Sequence, residues 1–212
     1  MLVFADNDVV TKLVEFDIFD IAIAALDVEL DEFNILDTLK YVEHLKDVVR
    51  LSERRGSAAA GRLLKIVPTL REITDVGIDE IFEDIVNIDA GEAVLLSAAL
   101  QSSGSMLWTG DKRAITAIAS HPSLDTVREQ LKGRIVCLEQ VVLQTIENEG
   151  FATVRDRLLP SLGLGVLSRG GVDTAIRSAF GAKEQATEDN VVFALNGYID
   201  DLRSRSGTLL SS

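Results

Sequence analysis

The chain alternates short, wholly apolar runs with longer segments in which apolar residues recur every three or four positions. LVFA (2–5) is a run of the first kind, ended by the polar DND, and predicts a buried strand. From Val9 the spacing changes. Val10, Leu13 and Val14, then Ile18 and Ile21 through Leu26, predict one or two helices. FNIL (33–36) predicts a second strand. Asp37 or Thr38 then caps a helix with Leu39, Val42, Leu45 and Val49 on one face. Gly56 and Ser57 end or loosen it, AAAGRLLKIV begins another helical segment, and Pro68 interrupts. IDEIFEDIVNI (78–88) predicts a helix with Ile78, Ile81, Phe82 and Ile85 on one face.

DAGEAVLLSAALQSSG (89–104) reads as a strong helix, MLWT (106–109) as a third strand, and KRAITAIAS (112–120) as a helix stopped by His121-Pro122. A short helix around LDTVREQL leads through Gly133 to a fourth strand, RIVCLE (134–139). Strands alternating with helices predict an α/β domain whose parallel sheet is covered on both faces, with sites at the carboxyl ends of its strands. After residue 140 only helical spacing remains: QVVLQTIENEGFATVRDRLLP and the stretch from Val172 to Leu202. LPSLGLGVLSRGG (159–171) reads as a Gly-rich joint rather than a phosphate loop, because it does not follow a strand. SGTLLSS reads as a disordered end. The expected organisation is an α/β domain over 1–140 and a helical extension over 141–212.

Composition narrows the class. A length of 212 residues with 47% hydrophobic content suits one ordinary domain with an added subdomain, and Gly and Pro are sparse. No apolar run reaches the roughly 18 residues of a membrane span. MLVFADNDVV has no basic leader and carries acids by residue 6, so it does not read as a signal peptide. The single cysteine, Cys137, excludes an internal disulfide and a cysteine zinc site, and it reads as a buried strand residue. The expected setting is cytoplasmic.

The net charge is −13, and residues 1–53 hold 13 acids against 4 bases. Such a chain is no general nucleic-acid binder, since phosphate binding needs clustered Lys and Arg. Arg50, Arg54, Arg55, Arg62 and Lys65 do cluster. They form either a solvated helix face or a phosphate track.

The acids carry the candidate chemistry. Asp6 and Asp8 follow the first strand and Asp111 follows the third, so all three belong at one sheet edge. Glu43, in the helix after the second strand, and Glu92, at the start of the helix before the third, are placed to join them. Converging carboxylates repel, by about 1 kcal/mol per pair at ~4 Å in water and about 4 at an effective dielectric of 20. A hard divalent cation relieves this. Each acid also has a structural reading. Asp89 and Glu92 form the D-x-x-E of a capping box, Asp111 can cap the helix from Lys112, and Glu43 can be a surface residue. Asp17, Asp20, Asp27, Asp31 and Glu32 read as solvated charge.

FADNDVVTKL resembles the opening of PIN-domain nucleases. NIDAGEAVLLSAAL followed by MLWTGDKRAI resembles the other half of the PIN site, and RIVCLEQVV the last strand of that domain. The resemblance covers roughly residues 1–140 and implies a PIN-like three-layer α/β/α fold with metal-dependent phosphodiester hydrolysis, most often of RNA. Carried over by position, it implies Asp6, Glu92 and Asp111 as metal-binding, catalytic acids for Mg²⁺ or Mn²⁺. Glu43, in the loosely matching TLKYVEHLK, becomes a further catalytic acid. Asp8 ligates or orients a ligand, Asp89 is an alternative to Glu92, and Thr109 or Lys112 touches the substrate phosphate. Many PIN proteins are toxins held by an antitoxin, and many dimerise, so a toxin or defence ribonuclease with a protein partner is the implied setting.

Two alternatives stand beside this. One is an inactive PIN-like protein that binds a partner. The other is a phosphatase: VFADNDVV resembles the D-x-D opening of haloacid-dehalogenase-like enzymes, which implies Asp6 as nucleophile and Asp8 as acid/base.

Overall fold

The computed structural model describes residues 1–74, 76–82, 84–163, 173–181 and 186–212. Five strands, β1 (Val3–Ala5), β2 (Phe33–Ile35), β3 (Arg71–Glu72), β4 (Met106–Thr109) and β5 (Ile135–Cys137), form one all-parallel sheet in the order β3-β2-β1-β4-β5. The register pairs Val3 with Phe33 on one side and with Met106 on the other. Consecutive strand residues point to opposite faces. Val3, Phe4 and Ala5 are all buried, as are Leu107, Trp108 and Thr109, so helices cover both faces. This is the expected α/β architecture with a three-layer arrangement. Trp108 and Phe33 meet edge to face at 5.3 Å between ring centroids and anchor the centre of the core.

The chain winds from β1 outward through β2 to β3, then returns to the other side of β1 for β4 and β5. The winding therefore reverses between β1 and β4. In open parallel sheets such a switch point opens a crevice at the carboxyl ends of the strands.

Helices α1 (Asn7–Glu15) and α2 (Phe19–Ala25) follow β1 as the apolar spacing predicts. The single helix expected after β2 is instead two: α3 (Leu39–Val42) and α4 (Val48–Arg55). His44 breaks it by taking a left-handed conformation with φ of +56°, and Val42 and Val49 are exposed rather than on a core face. After α5 (Ser57–Ile66) comes β3, an edge strand of two exposed residues with no apolar run to announce it. The helix expected over 78–88 reduces to a 3-10 turn at Glu80–Phe82, and Asp84 and Asn87 have φ of +65° and +70°. Phe82 and Ile85 still face the core, while Ile78 is exposed.

Helices α6 (Ala90–Gln101), α7 (Lys112–Ser120) and α8 (Asp125–Leu131) match their predicted segments. Residues 138 and 139, expected at the end of the fourth strand, instead open α9 (Leu138–Glu149), and Gly150 at φ +86° separates it from α10 (Phe151–Gly163). The part of the Gly-rich joint beyond Gly163 lies outside the described residues.

The helical extension shares the core of the sheet domain. α9 packs on α2, and α12 (Glu188–Ser206) packs on α7, α9 and α11 (Thr174–Phe180). One apolar cluster runs from Val3 through Val141 and Phe180 to Leu210. The end of the chain is ordered rather than loose. Ile135 N–H donates to Leu209 O at 3.1 Å, Ser211 N–H donates to Ile135 O at 2.8 Å, and Leu209 and Leu210 are buried. The tail thus covers the open edge of β5. No helix among the described residues is long and apolar enough to cross a membrane.

Candidate functional site

An open cleft of about 820 Å³ lies at the β1/β4 switch point. Asp6, Asp8, Asp89, Glu92, Asp111 and Asp173 all line it. Four of these acids are helix N-caps. Asp6 caps α1 with a long bond from Asp8 N–H, 3.4 Å. Asp89 caps α6, accepting from Glu92 N–H at 2.9 Å, while Glu92 Oε2 accepts from Asp89 N–H at 2.6 Å. Asp111 Oδ1 caps α7, accepting from Arg113 N–H at 2.7 Å and Ala114 N–H at 3.1 Å. Asp173 caps α11 through Ile176 N–H at 2.9 Å. Helix N-termini carry partial positive charge, so this arrangement offsets part of the mutual repulsion of the acids.

The offset is incomplete. Burial, with the charges of Asp8, Asp89 and Asp111 added, pushes the Asp6 carboxyl up to about 6. Burial, then the charges of Asp89 and Asp111, pushes Glu92 up to about 7. Asp111 goes the other way. Burial opposes its charge but is outweighed by the Arg113 guanidinium and the capping N–H groups, so its pKa falls.

Gly110 lets the loops after β1 and β4 approach each other. A Cβ there would stand 2.9 Å from Asp8 Oδ2. Asp8 in turn holds Lys12 Nζ at 2.5 Å. Gly110→Ala is expected to turn Asp8 off Lys12 and to lower stability by about 1 kcal/mol, a fall in melting temperature of about 2–4 °C that a thermal melt would register.

Of the predicted site residues, Asp6, Asp8, Glu92, Asp111 and Lys112 line the cleft. Glu43 does not. It is buried, and both its oxygens are taken by Arg55, at 2.8 and 2.7 Å. Thr109 is also buried away from the cleft lining, where its Oγ1 accepts from Asp111 N–H at 3.1 Å and shapes the turn. Lys112 directs its ammonium to the buried Glu139. The basic cluster divides in the same way. Arg55 and Arg62 bind Glu15, Glu43 and the carbonyls of Val14 and Glu15, and Arg54 binds Val42 O, leaving only Arg50 and Lys65 exposed without such partners. Cys137 is buried, and its thiol is pushed up to about 12 by burial and by Glu139, so it stays protonated.

Three cleft residues escaped sequence reasoning. Asp173 comes from the helical extension and pairs with Lys12 at 3.2 Å, a placement made by tertiary packing alone. Asn7 lines the cleft with a buried Oδ1 that has no partner among the described residues, and its place beside Asp6 just past β1 was the available signal. Arg113 reaches Asp111 Oδ2 at 2.9 Å.

The donors are all oxygen, the set a hard cation takes. No group of three or more acidic, His or Cys side chains among the described residues is gathered closely enough to hold an ion as it stands. Asp8, Asp111 and Asp173 are engaged by Lys12 and Arg113, whereas Asp6, Asp89 and Glu92 have no cationic partner among the described residues. No protein-family model, curated protein or solved structure matches the chain.

Proposed function

We propose that the chain is a PIN-like ribonuclease that hydrolyses RNA phosphodiester bonds with Mg²⁺ or Mn²⁺. The observation that carries the reading is the convergence of Asp6, Asp8, Glu92 and Asp111 at the β1/β4 switch point, where Asp6 and Glu92 lack a cationic partner among the described residues. Asp6, Glu92 and Asp111 would hold the ion. A divalent cation supplies water activation and charge neutralisation at phosphorus. The chain's own part is to hold these carboxylates in the first turns of helices that open onto the cleft.

The partner-binding reading rests on a different observation. Glu43 is spent on Arg55, and Asp8 and Asp111 are engaged by neighbours, so the cleft works structurally without chemistry. In that case its acidic face would take a basic partner.

Thermal melts with Mn²⁺ and cleavage of an RNA panel separate these. An ion at about 100 times its dissociation constant adds about 2.7 kcal/mol, so millimolar Mn²⁺ should raise the melting temperature by about 5–10 °C, with RNA cut in parallel. No shift and no cleavage would leave the partner-binding reading in possession. Phosphomonoester hydrolysis that survives Glu92→Gln would favour a phosphatase instead.

A further inference from the structure

Among the described residues, three cationic side chains stand around the acidic cleft, and two of them are committed elsewhere. Lys12 bridges Asp8 and Asp173 at 2.5 and 3.2 Å, and its side chain is only 12% exposed. Lys112 pairs with Glu139, a fully buried carboxylate away from the cleft lining, and its Nζ lies 5.7 Å from the ring centroid of Tyr198. Each ammonium already serves a carboxylate through a partly buried contact, Lys12 with Asp173 and Lys112 with Glu139.

Arg113 differs. Its side chain is 79% exposed and its one salt-bridge partner is Asp111, through Oδ2 at 2.9 Å. Its backbone is fixed in the first turn of α7, where its N–H donates to Asp111 Oδ1. The backbone of Arg113 is thus anchored while its guanidinium faces solvent. With Asp89, Glu92 and Asp111 it lines a side pocket of about 180 Å³ that adjoins the cleft.

We propose that Arg113 is the phosphate-binding residue of the cleft, and that its guanidinium occupies at Asp111 the place a divalent cation takes in the loaded protein. This rests on the nuclease reading. A divalent cation held at Asp111 would carry twice the charge of the guanidinium, and the exposed Arg113–Asp111 ion pair is weak enough to yield. Once released, a planar fork of N–H donors matches the two non-bridging oxygens of a phosphodiester. The cleft thus exchanges one positive group for another and gains a phosphate ligand as it loads. The substrate-phosphate role expected of Thr109 or Lys112 passes to Arg113.

The exchange makes opposite predictions for metal and RNA. In thermal melts against Mn²⁺, Arg113→Ala should bind the ion more tightly, lowering the midpoint about fivefold, while Arg113→Lys stays near wild type. The gain should vanish in an Asp111→Asn background, which separates it from Mn²⁺ bound elsewhere on an acidic surface. For a fluorescein-labelled single-stranded RNA, with Ca²⁺ in place of Mn²⁺, Arg113→Ala should bind about tenfold more weakly, with a salt slope reduced by about one phosphate contact. If Arg113→Ala matches wild type in either measurement while the wild type binds Mn²⁺ and cuts RNA, the assignment of Arg113 falls and the nuclease reading stands. A wild type that binds no Mn²⁺ overturns both.

Discussion

On the ribonuclease reading proposed above, Asp6→Asn is expected to abolish RNA cleavage and, at the same time, to raise the melting temperature at pH 7. The loss of activity follows from position: Asp6 caps α1 at the point where β1 opens into the cleft, and an amide is a poor ligand for a hard cation. Cleavage should fall by a factor of about 10³ or more, in the range of single-group losses at preorganised charged sites. The gain in stability follows from electrostatics. The folded pKa of about 6 lies above the ordinary value of 3.8, so folding takes up a proton between these values. The associated stability is fully present below pH 4 and is lost as pH rises to about 6. By pH 7 the ionised carboxylate costs about 2–3 kcal/mol. Asparagine caps a helix about as well as aspartate, so the amide keeps the cap and drops the charge. The melting temperature should rise by about 5–10 °C at pH 7 and hardly at all near pH 4. Mn²⁺ should stabilise the wild type and leave the variant unmoved. A variant that melts lower than wild type at pH 7 would show that the Asp6 charge is not a burden on the fold.

The sheet was legible because its central strands are buried on both faces. LVFA, FNIL and MLWT read as continuous apolar runs, and each became a parallel strand. The edge strand β3 was not legible, since Arg71 and Glu72 are exposed and contribute only backbone to the ladder. Helical spacing misled where a single residue leaves the helical region. His44 splits one expected helix and Asp84 and Asn87 dissolve another, and non-glycine residues at positive φ leave no trace in an apolar pattern. The last residues looked disordered by composition, but Leu209 and Leu210 are held against β5.

At the site, the choice between capping and chemistry is not exclusive. Asp111 and the Asp89/Glu92 pair do cap their helices, as their spacing predicts. The caps also place those carboxylates at one crevice, because α1 and α7 start directly after neighbouring parallel strands. What one-dimensional reading cannot supply is who answers each charge. Lys112 looked free for substrate and is taken by Glu139, while Asp173 enters from a segment with no motif at all.

Glu43→Ala should be the largest loss of stability among the acidic positions, with cleavage per folded molecule unchanged. The Glu43 and Arg55 side chains are 3% and 7% exposed and are joined by two hydrogen bonds, with Glu15 completing the triad at 2.8 Å. Removing Glu43 leaves a buried guanidinium with half its partners. Breaking such a pair costs about 3–5 kcal/mol, which for a chain of this size lowers the melting temperature by about 10 °C. The damage should spread through α4 and α5, since Arg55 ties the end of one to Glu15 at the end of α1. Replacing both partners, Glu43→Met with Arg55→Met, should recover most of the loss, because it is the uncompensated charge that is expensive. Below the melting transition, kcat/KM for RNA in Mn²⁺ should stay within about twofold of wild type, since Glu43 is no part of the cleft lining. A variant that melts normally but no longer cuts RNA would return Glu43 to the catalytic set, and would mean that the salt bridge with Arg55 opens in the working enzyme.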